Sequence, residues 1–102
     1  MKLKIIGKFL KLKCNYCRET FNVDGKNCKH TCDAVSERSM GTEYEHHLIW
    51  CGKCPECKRD IVVDLLVFEY PEGCDNWVER DATGASFAEI PEMELVQTKR
   101  TA

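Results

Sequence analysis

Cys14-Asn15-Tyr16-Cys17 and Cys54-Pro55-Glu56-Cys57 are the two stretches on which the reading of this chain turns. Two cysteines separated by two residues sit on a tight turn that holds both sulfurs about 4 Å apart and leaves backbone N–H groups free to point at them. One such knuckle offers half of a tetrahedral four-thiolate set, and two offer all of it. Each adjoins a segment with the pattern of a strand, so the pair predicts a structural zinc ion ligated by Cys14, Cys17, Cys54 and Cys57. Cys51-Gly52-Lys53-Cys54 has the same spacing, and Cys54 can serve in only one knuckle. Pairing with Cys57 is preferred, because Pro55 fixes φ at the first turn position and Lys58-Arg59-Asp60 leads straight into a strand.

Outward from the second knuckle, Ile61 to Tyr70 is nearly continuous in apolar residues, the pattern of a central strand covered on both faces, and Pro71-Glu72-Gly73 closes it with a turn. Upstream, Thr42 to Trp50 alternates as a half-buried strand, with Tyr44, His46, Leu48 and Trp50 on one side and Glu43, Glu45, His47 and Ile49 on the other. His46 and His47 therefore point to opposite faces and cannot share a metal; one packs and the other is solvated. Before the first knuckle, Leu3 and Ile5 share one parity and Leu10 and Leu12 the other. A single strand with a β-bulge at Gly7 absorbs that change of phase. A helix is the competing reading, but it would put Lys2 and Lys13 inside its apolar sector. Thr20 to Val23 reads as a short strand stopped by Asp24-Gly25-Lys26-Asn27, and residues 28–41 read as irregular, with at most one helical turn around Ala34 to Arg38. Trp77-Val78 and Ala85-Ser86-Phe87 are short strand candidates. Ile90-Pro91 opens a tail in which Met93, Leu95 and Val96 can pack, and Lys99 to Ala102 is expected to be frayed. The fold class is mostly β, one domain over residues 1–98.

A chain of 102 residues that is 43% hydrophobic, eight cysteines included, and 31% charged builds a thin core and needs a further staple. Cysteines serve as that staple either as disulfides or as metal thiolates, and the compartment decides. Lys2, Lys4, Lys8, Lys11 and Lys13 interrupt the N-terminal apolar residues, so no signal-peptide core and no membrane span is read there, and a cytoplasmic location with reduced thiols is expected. Disulfides are the competing reading. The net charge of −2 is unevenly spread: residues 1–59 carry twelve Lys/Arg against seven Asp/Glu, whereas residues 60–95 carry Arg80 against ten acids.

On the two knuckles and the hairpin they bracket, residues 14 to about 70, the chain resembles the zinc-ribbon families and, more loosely, rubredoxin-like metal knuckles. The resemblance implies that Cys14, Cys17, Cys54 and Cys57 are the four ligands of a small zinc-ribbon-like domain, here with additional N- and C-terminal strands. It also suits a non-enzymatic module that docks on a nucleic-acid complex or a protein partner. Rubredoxin-type knuckles usually place Gly after the second cysteine, where Arg18 and Lys58 stand here. That argues against an iron electron-transfer protein, although ligation by four cysteines suits iron as well as zinc.

Other constellations carry competing chemistry. Trp50-Cys51-Gly52-Lys53-Cys54 resembles the thioredoxin active-site sequence and offers a thiol-disulfide alternative using Cys51 and Cys54. A thioredoxin motif ends a strand and opens a helix, however, whereas Pro55 and Cys57 follow here at once. Cys28, Cys32, Cys51 and Cys74, with His30 as a substitute ligand, could make a second metal site; spare loop thiols are the bland reading. Lys2, Lys4, Lys8, Lys11, Lys13 and Arg18 could form a basic strip beside the knuckles, with Lys11, Lys13, Tyr16, Arg18, Lys58 and Arg59 contacting nucleic acid; a solvated edge protected by lysine is the alternative. No Ser/His/Asp arrangement, phosphate-binding glycine loop or carboxylate pair is present, so no catalytic residue is assigned and no enzyme activity is expected.

Overall fold

The computed structural model describes residues 1–96, so the expected fraying of Lys99 to Ala102 and the domain's end at 98 lie outside the described residues. In chain order the elements are β1 (Lys2–Ile5), β2 (Phe9–Cys14), β3 (Thr20–Asp24), a 3-10 turn (Gly25–Asn27), β4 (Lys29–Arg38), β5 (Gly41–Lys53), β6 (Asp60–Glu69), β7 (Asp75–Thr83), β8 (Ala85–Phe87) and β9 (Met93–Val96). They form three antiparallel sheets, β1-β9, β3-β2-β8 and β4-β5-β6-β7. The expected mostly-β class is what the chain adopts.

The phase change at Gly7 does not mark a bulge. Gly7 and Lys8 both take positive φ, 86° and 71°, so the chain turns, and β1 and β2 enter different sheets. A bulge would keep both halves in one ladder, whereas two successive left-handed residues redirect the backbone. Parity still marks the buried side chains, because Leu3, Ile5, Leu10 and Leu12 all enter the core.

Residues 28–41 are not irregular. Most of them form β4, which pairs with β5 from Lys29↔Ile49 to Arg38↔Gly41, with one register shift between Ala34 and Ser36. As an edge strand β4 buries neither face fully, so it needs no apolar alternation, and its conformation is imposed by the long ladder beside it. Trp77-Val78 likewise proves to be part of nine-residue β7, while Ala85–Phe87 is a strand as read. The C-terminal tail pairs as β9 with β1, bringing Met93 and Leu95 against the core.

β6 turns one face to the core. Its inward parity, Ile61, Val63, Leu65, Val67 and Glu69, is buried, and joins Leu48 and His46 of β5. Against this face pack Leu3 and Ile5 from β1 and Leu10, Leu12 and Cys14 from β2. The opposite parity, Val62, Leu66 and Phe68, stays outside that core cluster, although Leu66 is buried at 9% and Phe68 half-buried by neighbouring side chains of the sheet. The second covering layer expected from the apolar run is absent among the described residues.

Gly84 turns the chain from β7 into β8 with φ at 84°, and a Cβ there would lie 2.6 Å from the Asp60 carbonyl oxygen. Its own carbonyl accepts the Asn15 amide at 3.1 Å, so this one residue sits between the first knuckle and the start of β6 just after the second. Gly84→Ala is expected to lower stability by about 2 kcal/mol or more, read by chemical denaturation, through combined left-handed strain and backbone clash. Among the described residues no helix is long and apolar enough to cross a membrane.

Candidate metal centre

Both knuckles are built alike. β2 ends on Cys14 and β3 starts at Thr20; β5 ends at Lys53 and β6 starts at Asp60. In the first, the Arg18 amide donates to the Cys14 carbonyl at 3.1 Å and the Cys14 amide to Glu19 at 2.9 Å; in the second, Lys58 donates to Cys54 at 3.0 Å and Cys54 to Arg59 at 2.9 Å. Arg18 and Lys58 close these turns with φ of 68° and 65°, the conformation for which glycine is the usual choice.

The two hairpin ends meet so that the sulfurs of Cys14, Cys17, Cys54 and Cys57 all lie within 4.8 Å of one another. Cys14 Sγ is 3.5 Å from Cys57 Sγ, and Cys17 Sγ is 3.5 Å from Cys54 Sγ. Four sulfurs around a tetrahedral ion with metal–sulfur bonds of about 2.3 Å stand about 3.8 Å apart, so this donor set fits a metal ion with small adjustment. Cys14 and Cys54 are fully buried in the core, while Cys17 and Cys57 face the rim.

Electrostatics lead to the same requirement. The amides of Cys17 and Tyr16 hydrogen-bond the Cys14 sulfur and, against burial, hold its thiol down at about 6. Cys54 is lowered in the same way, first by the Cys57 amide and then, against burial, by Glu56. At Cys17 the Glu19 amide pulls downward, but burial and the sulfurs of Cys54, Cys14 and Cys57 push the thiol up to about 12. Without a cation the cluster cannot carry four negative charges; a divalent ion removes that conflict.

A group whose folded value is depressed contributes stability above its unfolded value and loses it as pH falls through the folded one. Cys14, brought from 9.0 to about 6, is such a group, and protons compete with metal for the same thiolates. Metal affinity is therefore expected to weaken more steeply once pH falls below about 6, where Cys14 regains its proton, as read by release to a chromophoric chelator. Occupancy that stays full to strongly acidic pH would contradict this thiolate assignment.

The remaining candidate residues are dispersed. Cys32 sits on β4 opposite His46, Cys28 just before β4, and Cys51 on β5 opposite Val62. Cys74 lies in the β6–β7 turn, where its carbonyl accepts the Tyr70 amide at 2.9 Å. From Val62 to Glu69 a strand runs about 23 Å at about 3.3 Å per residue, so Cys51 and Cys74 stand at opposite ends of the sheet. The four thiols Cys28, Cys32, Cys51 and Cys74 are thus not gathered, although Cys32 Sγ lies 3.9 Å from His46 Nε2, whose other ring nitrogen meets the substitute ligand His30 at 3.0 Å. Cys51 is exposed on a continuous strand, whereas Cys54 belongs to the four-sulfur cluster.

Of the proposed nucleic-acid contacts, Arg59 lays its guanidinium 4.0 Å over the Tyr16 ring, which ties the two knuckle tips together. Lys58 Nζ donates to the Pro55 carbonyl at 2.7 Å and Lys11 Nζ to Glu89 at 3.1 Å. Lys13 and Arg18 stand near these tips at the end of β2 and in its knuckle. Lys2 and Lys4 belong to β1 in another sheet, so the strip is divided.

A buried polar chain was not legible in the sequence. His46 Nε2 is 2.7 Å from Glu69 Oε1, and His46 Nδ1 is 3.0 Å from His30 Nε2, which also takes the Leu3 amide at 3.4 Å. Glu69 Oε2 accepts the Gly73 amide at 2.7 Å. The available signal was Glu69 on the same parity as Ile61, Val63, Leu65 and Val67. His47, on the other face, bonds Asp64 at 2.7 Å; burial pulls its imidazole down, but Asp64 and Glu45 outweigh that and raise it. The expected division, one histidine packed and its neighbour near solvent, is what these contacts give. No protein-family model, curated protein or solved structure matches this chain.

Proposed function

We propose that the chain is a non-enzymatic interaction module built around a structural zinc ion, resembling a zinc ribbon and docking on a protein partner or a nucleic-acid complex. The observation that carries this reading is the gathering of four cysteines: four protein sulfurs within 4.8 Å of one another can fill every position of a tetrahedral ion, whereas a catalytic zinc keeps a position open. The centre fastens a hairpin of the three-stranded sheet to a hairpin of the four-stranded one, which is the work of a staple. Zinc is favoured over iron because it suits a closed, redox-inert site of four thiolates. Thiolates held for a metal suit a reducing compartment, the cytoplasm.

The competing chemistry is thiol-disulfide exchange through Cys51 and Cys54. It lacks support because Cys54 lies in the cluster and Cys51 precedes no helix. An insulin-reduction assay on the metal-loaded protein is expected to show no turnover above that of free thiol. Turnover abolished by Cys51→Ser, with metal still bound, would overturn the non-enzymatic reading.

A further inference from the structure

We infer that the outer face of the β4-β5-β6-β7 sheet is a docking surface for a basic protein, one that presents Lys or Arg side chains around an apolar centre. This deepens the reading of the chain as an interaction module and rests on it.

The apolar run of β6 is rich enough for two covered faces, yet the fold turns only one to the core. Cross-strand register assigns Val62, Leu66 and Phe68 of β6, Ile49 of β5, and Trp77 of β7 to the other face. None of these five belongs to the core cluster: Leu66 is buried by its neighbours on this face, Phe68 and Ile49 are half-buried, Trp77 is 58% exposed, and Val62, at the far end of β6, is 43% exposed. Trp77 stands directly opposite Phe68, so the pair offers a broad apolar platform. An exposed tryptophan seated beside Phe68 and diagonal to Leu66 is the kind of aromatic anchor a partner covers, whereas Val62, alone at the other end of the strand, is ordinary.

Charge selects the occupant. Around the platform the same parity carries Asp33, Glu45, Asp64, Glu79 and Asp81, with Lys29, Lys53 and His47 as the opposing groups, while Arg38 and Glu43 pair with each other toward the β4–β5 turn. Lys53 is held by Asp60 at 2.6 Å, and His47 bonds Asp64. Glu79 and Asp81 have no ion-pair partner among the described residues. Asp81 also faces Asp64 directly across the ladder, and like charges in that position oppose each other. A cation delivered by a partner relieves this repulsion. The acids repel phosphate, which excludes nucleic acid from this face, and a two-fold pairing of two copies would set the same acids against themselves. What remains complementary is a basic protein surface with an apolar centre.

The test is an NMR titration of the full, metal-loaded chain with a short synthetic peptide alternating arginine and valine, run beside one alternating glutamate and valine. The arginine peptide is expected to shift the Trp77 indole and the amides of Val62, Leu66 and Glu79, with binding that weakens as salt rises. Glu79→Gln with Asp81→Asn should weaken that binding about tenfold and flatten its salt dependence, and Trp77→Ala should weaken it at least as much. Both variants should keep their metal content and spectral dispersion. Equal binding of the two peptides, shifts confined to another face, or dimerisation through these residues at high protein concentration would overturn the inference. Absence of arginine-peptide binding would also sink it, even where a single-stranded oligonucleotide shifts Lys13 and Arg18; that result leaves the interaction-module reading standing. Thiol-exchange turnover would strike the module reading itself.

Discussion

Cys14→Ser or Cys57→Ser is expected to unfold the domain, seen as loss of dispersed amide resonances and of cooperative melting. A structural zinc contributes on the order of 10 kcal/mol to a small module, while a whole domain of this size is stable by only about 5–15 kcal/mol. The position of the cluster makes the loss hard to absorb. Cys14 and Cys54 are core residues as well as donors, and the centre joins hairpins that belong to separate sheets. Removing one ligand leaves three crowded sulfurs, one of which already resists ionisation because of its neighbours. A quadruple serine variant that stays folded without metal would refute the structural role.

Glu69→Leu and His46→Leu are each expected to cost about 3–5 kcal/mol in denaturant unfolding, because each strips one partner from a buried polar pair. Both groups are almost wholly enclosed, at 2% and 0% exposure, so the orphaned partner cannot turn to water. Glu69→Leu also deprives the Gly73 amide of its acceptor. The double variant should lose far less than the sum of the two, since the pair disappears together and leucines occupy its space. Strictly additive losses, or single losses under about 1 kcal/mol, would mean that the pair is not the tie described here.

The knuckles were legible because their chemistry is local: spacing alone places two sulfurs, and Pro55 distinguishes Cys57 from Cys51 as the partner of Cys54. β5 was legible for a similar reason, since Tyr44, His46, Leu48 and Trp50 alternate against polar neighbours. β4 was hidden because an edge strand exposed along most of its length carries no alternation of its own. Gly7 advertised a change of parity but not its cause; one positive φ is compatible with a bulge, and the second, at Lys8, is what turns the chain. Composition suggested two covers for β6, although a strand's apolar content reports only what could be buried: on the outer face Leu66 is buried by its neighbours, Phe68 half-buried and Val62 exposed, and none joins the core cluster. The chain from His30 through His46 to Glu69 depends on register between strands far apart in sequence, which no local pattern encodes. The four remaining thiols looked like a second ligand set by count, and the sheet separates them.

The most direct test of a structural zinc is the metal content and visible absorption of the protein purified without added metal. One zinc per chain and no visible band are expected, with native titration of Cys28, Cys32, Cys51 and Cys74 before Cys14, Cys17, Cys54 and Cys57. Folded protein with no bound metal, or a coloured protein with one iron per chain, would contradict it.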